Sequence, residues 1–259
     1  MLARWYQIAS LGKLLFLRDL RFRYRQAFFG YLWAVGRVLF TGLPMILVGN
    51  QFNFGGERTG LEYAIFALTG LILWQIFWDS VIYPQWVSRR LRRTLVEAGF
   101  PREALIAAGV GYVVFNGSMY LMIIVAAFLV FQITPPATAV LGLLAIPALI
   151  MSGVAIGAVF VPLSLVYLDF RYGLPMLSPV LLWTAPIFYE APQTGLLAIL
   201  NRWNPVTYLI TSPRSWMVSG PTDADLAFLV CLGFFAMLFL ATLRFFRAAM
   251  PLSVGALPR

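Results

Sequence analysis

The sequence predicts an all-α integral membrane protein with six transmembrane helices per chain, and three observations predict it. Of 259 residues, 61% are hydrophobic and only 11% charged, whereas a soluble domain averages about 45–50% apolar and about 25% charged. Residues 104–168 form a run of 65 positions without one Asp, Glu, Lys or Arg. At about 20 residues per crossing, that run holds two spans and a turn. The 19 bases, meanwhile, crowd alternate segments between the apolar runs.

The elements follow in order. Residues 1–28 are strongly basic and lack the apolar stretch ending in small residues that marks a cleavable signal, so none is expected. Arg18, Arg21 and Arg25 fall at i, i+3 and i+7, and Leu17, Leu20 and Tyr24 repeat that spacing on a neighbouring face. This predicts an N-terminal amphipathic helix lying in the membrane interface, interrupted by Leu11, Leu14 and Leu15 on the polar side. A basic tail that only sets topology is the other reading. Residues 29–259 then form the membrane domain, with crossings expected at 29–50, 61–86, 104–131, 139–168, 172–189 and 225–243. Thr134-Pro135-Pro136-Ala137-Thr138 makes an uncharged turn between the third and fourth.

Orientation follows from the Lys and Arg of alternate loops. Fifteen lie in the N-terminal tail, the 87–103 loop, at Arg171 and in the C-terminal tail. Only Arg58, Arg202 and Arg214 lie on the other side. The bias predicts that both termini are cytoplasmic. In a membrane protein such a basic excess reports topology and lipid contact, not nucleic acid.

Two connecting segments are unusual. In the 87–103 loop, Arg89, Arg92 and Arg93 form a basic stripe if the stretch is helical, and Gly99 followed by Pro101 would end that helix. It reads as a docking helix for a cytoplasmic partner, or as topology alone. The 190–221 segment is too apolar for an ordinary loop. Pro192, Asn204-Pro205 and Pro213 divide it into short pieces, which suggests re-entrant helices forming an outer gate, or a lid on the outer leaflet.

Charges within or near the spans are Arg37, Asp79 and Glu190. Each costs about 2.5–3.5 kcal/mol at a helix centre. Arg37 lies eight residues beyond Phe29, a rise of about 12 Å, so its side chain is expected to snorkel to the inner interface. The aromatic residues of the second span, Trp74, Phe77, Trp78, Tyr83 and Trp86, read chiefly as belt anchors at the interface. Aromatic faces can also stack on sugar rings and line a glycan path.

Several chemistries are excluded. There is no His, and the one cysteine is Cys231, so a His-based dyad, a disulfide and a zinc cluster cannot be built. A P-loop needs Gly-x-x-x-x-Gly-Lys-Ser/Thr. The only lysine, Lys13, follows Gly12 but has Gln7 where the first Gly belongs and Leu14 after it. A membrane transferase would need clustered acids, and only Asp223 and Asp225 come close together.

Five stretches resemble the permease subunit of ABC-type-2 polysaccharide exporters, which move O-antigen, capsule and teichoic-acid chains. They begin with Arg18-Asp19-Leu20-Arg21-Phe22-Arg23-Tyr24-Arg25, followed by Phe29-Gly30-Tyr31-Leu32-Trp33-Ala34-Val35. Gly70-Leu71 with Trp74 and Phe77, and Phe100-Pro101-Arg102-Glu103, come next. Asp169-Phe170-Arg171-Tyr172 has Leu168 where the family has an Arg, and Pro186-Ile187-Phe188-Tyr189 with Asn204-Pro205 completes the set. Gly36-Arg37-Val38 departs from the family, which has a Pro there.

The resemblance implies a homodimeric pore, each copy bound to a separate ATPase subunit that holds the ATP and magnesium. It implies no cofactor in this chain and no enzymatic activity of its own. ATPase coupling would fall to Arg89, Arg90, Arg92, Arg93, Glu97, Phe100, Pro101, Arg102 and Glu103, with Asp169 and Arg171 as a smaller contact. Arg18, Arg21 and Arg25 would hold the interface helix among membrane lipids, where it helps receive a lipid-linked glycan. Tyr31, Trp33, Trp74, Phe77, Trp78, Phe188, Tyr189 and Trp203 would line the glycan path and gate. The alternative cargo for the same architecture is a small lipophilic compound.

Overall fold

A computed structural model describes residues 2–24, 32–58, 60–92, 95, 101–222 and 224–255. Ten helices order these residues: α1 (Leu2–Tyr24), α2 (Leu32–Gln51), α3 (Gly60–Arg90), α4 (Glu103–Val130), α5 (Ala139–Leu144), α6 (Ile146–Val166), α7 (Asp169–Leu182), α8 (Leu196–Trp203), α9 (Pro205–Val218) and α10 (Asp225–Gly255). No strand occurs among them. Four stretches are long and apolar enough to cross a membrane: α3, α4, α5 with α6 as one 28-residue run, and α10. The chain is a multi-pass membrane protein.

The break between α5 and α6 is slight. Pro147 stands in the first turn of α6, where its missing N–H interrupts the hydrogen-bond ladder, yet Ala145 keeps right-handed helical geometry. The 172–189 span is expected as one crossing, but α7 is 14 residues long and ends at Leu182. Residues 183–189 instead form a tight turn around Pro186 that carries the buried Ile187 and Phe188. α2 is 20 residues long and contains Arg37 and Pro44.

α3 is the axis of the bundle. It packs against α6 on one side and α4 on the other, with α2 across it; α10 lies outside α6, and α1 outside α4. The α3–α6 approach is close because Gly153 and Gly157 of α6 face the backbone of α3. A Cβ at Gly157 would collide with the Val81 carbonyl, as expected of small residues four apart in a membrane helix pair. Thr242 of α10 donates to the Ala155 carbonyl of α6 at 2.9 Å, a polar link of the kind that also holds membrane helices together.

The aromatic-belt expectation is overturned for four residues of the second span, whereas the fifth, Trp86, is half-buried. Trp74, Phe77, Trp78 and Tyr83 are all buried inside the protein, because α3 is surrounded by helices and has no lipid face at that level. Trp74 and Trp78 do share a face, with rings stacked at 5.7 Å.

Candidate functional site

Near the middle of α3, Asp79 is buried and paired with Arg37 of α2, Nη2 to Oδ2, at 2.8 Å. Tyr120 and Asn116, four residues apart on α4, both donate to the same carboxylate oxygen at 3.0 and 3.1 Å. Asn116 also reaches the Tyr83 hydroxyl at 2.8 Å, and Arg37 bonds the Tyr120 hydroxyl. The expectation that Arg37 snorkels to the interface is therefore corrected. Its guanidinium turns across the bundle, because pairing removes two intramembrane charges at once. Asn116 was missed in the sequence; the signal was a polar pair, Asn116 and Tyr120 at i, i+4, facing a second pair, Asp79 and Tyr83.

This cluster forms one wall of a cavity of about 460 Å³ between α2, α3 and α7. Arg37, Thr41, Gln75 and Asp79 supply polar groups, and Trp78, Trp86, Trp183 and Phe188 supply aromatic faces. Arg37 is 44% exposed and Asp79 only 4%, so the arginine is the charge presented to the cavity and the aspartate is what holds it. The mixture suits a ligand with both hydroxyls and apolar ring faces. Trp74 and Phe77 instead line a smaller apolar cavity of about 240 Å³ between α3, α6 and α7.

The arginine-rich segments meet at one end of the bundle. The docking helix expected within 87–103 lies mostly outside the described residues, since only 87–92, 95 and 101–103 of that segment are described. Just beyond the end of α3, the Leu91 and Leu95 N–H groups donate to the Val87 and Leu91 carbonyls, each at 3.0 Å. Arg90 pairs with Asp19 of α1 at 2.6 Å and lies over Trp86. Arg89 stands close enough to Arg171, at the start of α7, for the two charges to repel. Glu103 is turned inward and paired with Arg247 of α10 at 2.8 Å, so it ties the last helix to α4. Asp169 and Arg171 are exposed, while Arg92, Pro101 and Arg102 are half-buried. On α1, Arg18 and Arg21 are exposed, and Ile8, Leu15 and Leu20 are buried. Phe16 of α1 packs edge-on against Tyr112 of α4, so this helix rests partly on protein. Arg25, Tyr31, Arg93, Glu97 and Phe100 lie outside the described residues.

At the opposite end, the 183–190 turn is fastened to α3 and to the loop before it. Tyr63 donates to the Phe188 carbonyl at 2.8 Å, and the Glu190 N–H donates to the Phe54 carbonyl at 3.0 Å. Arg58 pairs with Glu190 at 3.1 Å. Arg214 of α9 is buried, donates to the Pro186 carbonyl at 2.6 Å, and lies over the Phe66 ring. Burial, and then the neighbouring Arg58, push its guanidinium down to about 9, against the pull of Glu190.

The α8–α9 break falls at Asn204-Pro205 as the sequence implies. The Asn204 side chain caps α9 by accepting from the Val206 N–H at 3.0 Å, and proline follows at the first helical position. Pro213, expected to be a third break, sits inside α9. Tyr189 bonds Asn201 at 3.0 Å, whereas Trp203 and Trp33 are exposed on the protein surface.

No family model matches the chain. An O-antigen export system permease protein, RfbA, from Klebsiella pneumoniae is 25% identical over 212 residues, covering 80% of each chain. A second protein of the same name and organism is 22% identical over 206 residues, covering 78% of each. The chain is thus a multi-pass membrane protein similar, over about four-fifths of its length, to two proteins named as O-antigen export permeases.

Proposed function

We propose that the chain is the permease subunit of an ATP-driven exporter that moves a lipid-linked polysaccharide across the bacterial cytoplasmic membrane. The observation that carries this reading is the similarity to two O-antigen export permeases across about four-fifths of both partners. On this reading α2, and α7 together with the 183–189 turn, complete six crossings, both termini are cytoplasmic, and α8 with α9 forms a re-entrant gate on the outer face. A second copy laid against α2 and α7 would close the 460 Å³ cavity, whose arginine and tryptophans would then face the glycan. The exposed apolar residues flanking that opening support this, among them Phe40 and Leu47 of α2 and Met176 and Val180 of α7.

The Arg89–Arg171 corner and the half-buried Arg92 and Arg102 form the surface offered to a separate ATPase, two copies per pore. Closure of that ATPase would reach α3 through Arg89 and Arg90, which stand in the last turn of the helix that carries Asp79. The test is deletion of the gene in its host. Loss of a surface glycan, restored by the wild-type chain but not by a chain lacking 89–103, is the expected result. An unchanged glycan together with altered sensitivity to lipophilic compounds would overturn the cargo assignment.

A further inference from the structure

The arginine-lined pocket at the opposite end lies apart from the 460 Å³ cavity between α2, α3 and α7. Its volume is about 790 Å³, and it opens between the 190–195 segment, α8 and α9. Among the described lining residues the charges are three arginines, Arg58, Arg202 and Arg214, against one glutamate, Glu190. Those three are also every base that the alternate-loop count places on that side. Residues far apart in sequence therefore gather all the positive charge of one membrane face into one recess.

The pocket wall is also under-satisfied. Arg214, Asn201 and Thr207 are each less than 9% exposed, and Arg214 Nε, Asn201 Nδ2 and Thr207 Oγ1 have no partner within the protein. A buried polar group without a hydrogen bond is costly. Unfilled donors beside excess positive charge suit an anion with several acceptor oxygens, and phosphate has the geometry that arginine binds best.

α8 indicates what carries the anion. Leu196, Ile199, Leu200 and Trp203 recur at i, i+3, i+4 and i+7 and are exposed, Trp203 by 82%. Ala198, Asn201 and Arg202 of the same helix line the pocket, with Ile199 at its rim between the two faces. One short helix thus presents a hydrocarbon face with a terminal tryptophan, as at a membrane interface, and a polar face turned to the arginines. We propose that this pocket binds the phosphate of a lipid headgroup in the leaflet at this end of the bundle, with the acyl chains lying along α8.

The test is native mass spectrometry of the purified full-length chain with three probes: palmitoyl-oleoyl phosphatidylglycerol, dioleoylglycerol and inorganic phosphate. Phosphatidylglycerol is expected to bind and the other two not. Binding should weaken about tenfold in Arg202→Gln and in Arg58→Gln, as for loss of one charge-assisted contact, and should tighten in Glu190→Gln, which removes the competing carboxylate. Neither Arg58 nor Arg202 is buried, so these variants should fold. Inorganic phosphate binding as well as the lipid would keep the anion site but overturn the lipid source. Equal binding of dioleoylglycerol, or affinities unchanged in all three variants, would overturn the phosphate site itself.

Discussion

α3 and α10 are both 31 residues long, yet they solve opposite problems. The most apolar 18-residue window of α3 has a mean hydropathy of 1.7 and is 89% buried; that of α10 has 2.6 and is 17% buried. In water the greasier helix would be the central one. In a bilayer the lipid is as good a solvent for Leu as the protein interior, so the most apolar helix is free to sit outside. The central position goes to the helix that carries Gln75, Asp79, Ser80, Gln85 and Ser88, all buried. Its serines and Gln85 donate to carbonyls one turn back, as in Ser80 to Ile76 at 2.7 Å, while Asp79 needs partners from other helices.

The comparison can be broken most forcefully at its polar centre. Asp79→Ala leaves Arg37 without its carboxylate. It should cost about 3 kcal/mol, the lower end for a broken buried pair, since Arg37 keeps access to the cavity. The melting temperature in detergent should fall accordingly, and Arg37→Met with Asp79→Leu should recover most of the loss. If Asp79→Ala melts like wild type, the network does not hold the bundle.

Next in size, Gly157→Leu forces α6 away from the α3 backbone and should cost about 1–3 kcal/mol by overpacking, measured by unfolding in mixed micelles. The same change at Gly233 on α10, where a Cβ meets nothing within 4 Å, should be tolerated. Arg247→Gln removes the charge that pairs the buried Glu103 and should cost about 1.5 kcal/mol, the lower end for a hydrogen bond to a charged group because the amide can still donate. It should also speed proteolysis at the C-terminal end of α10. Smallest of all, Leu229→Ala on the exposed face of α10 should change stability by less than about 0.5 kcal/mol. A loss of 2 kcal/mol or more there would mean that α10 is covered by protein and not by lipid.

Much of this was legible in the residues. The spans expected at 61–86, 104–131 and 139–168 begin or end within a few residues of α3, α4 and the α5–α6 run. The 225–243 span was cut short, since α10 continues to Gly255. Arg244 and Arg247 end the apolar count without ending the helix, and Arg247 has Glu103 to meet. The Trp74–Trp78 face was readable from spacing, but its burial was not. The same spacing serves a lipid-facing belt or a protein core, and only the neighbours of α3 distinguish them. Asn116 was hidden because the spacing of Asn116 and Tyr120 in a charge-free run has no meaning until Asp79 stands opposite the pair.

What the sequence by itself determined is residence in the membrane, the approximate spans and the division of arginines between two faces. Each depends on how a single segment partitions between water and lipid, and that can be judged segment by segment. Only the tertiary structure decided that α3 is central, that Arg37 pairs with Asp79 42 positions away, and that Arg58, Arg202 and Arg214 share one pocket. Those outcomes depend on the packing of distant segments, where a buried charge or donor is tolerated only if another helix brings its partner.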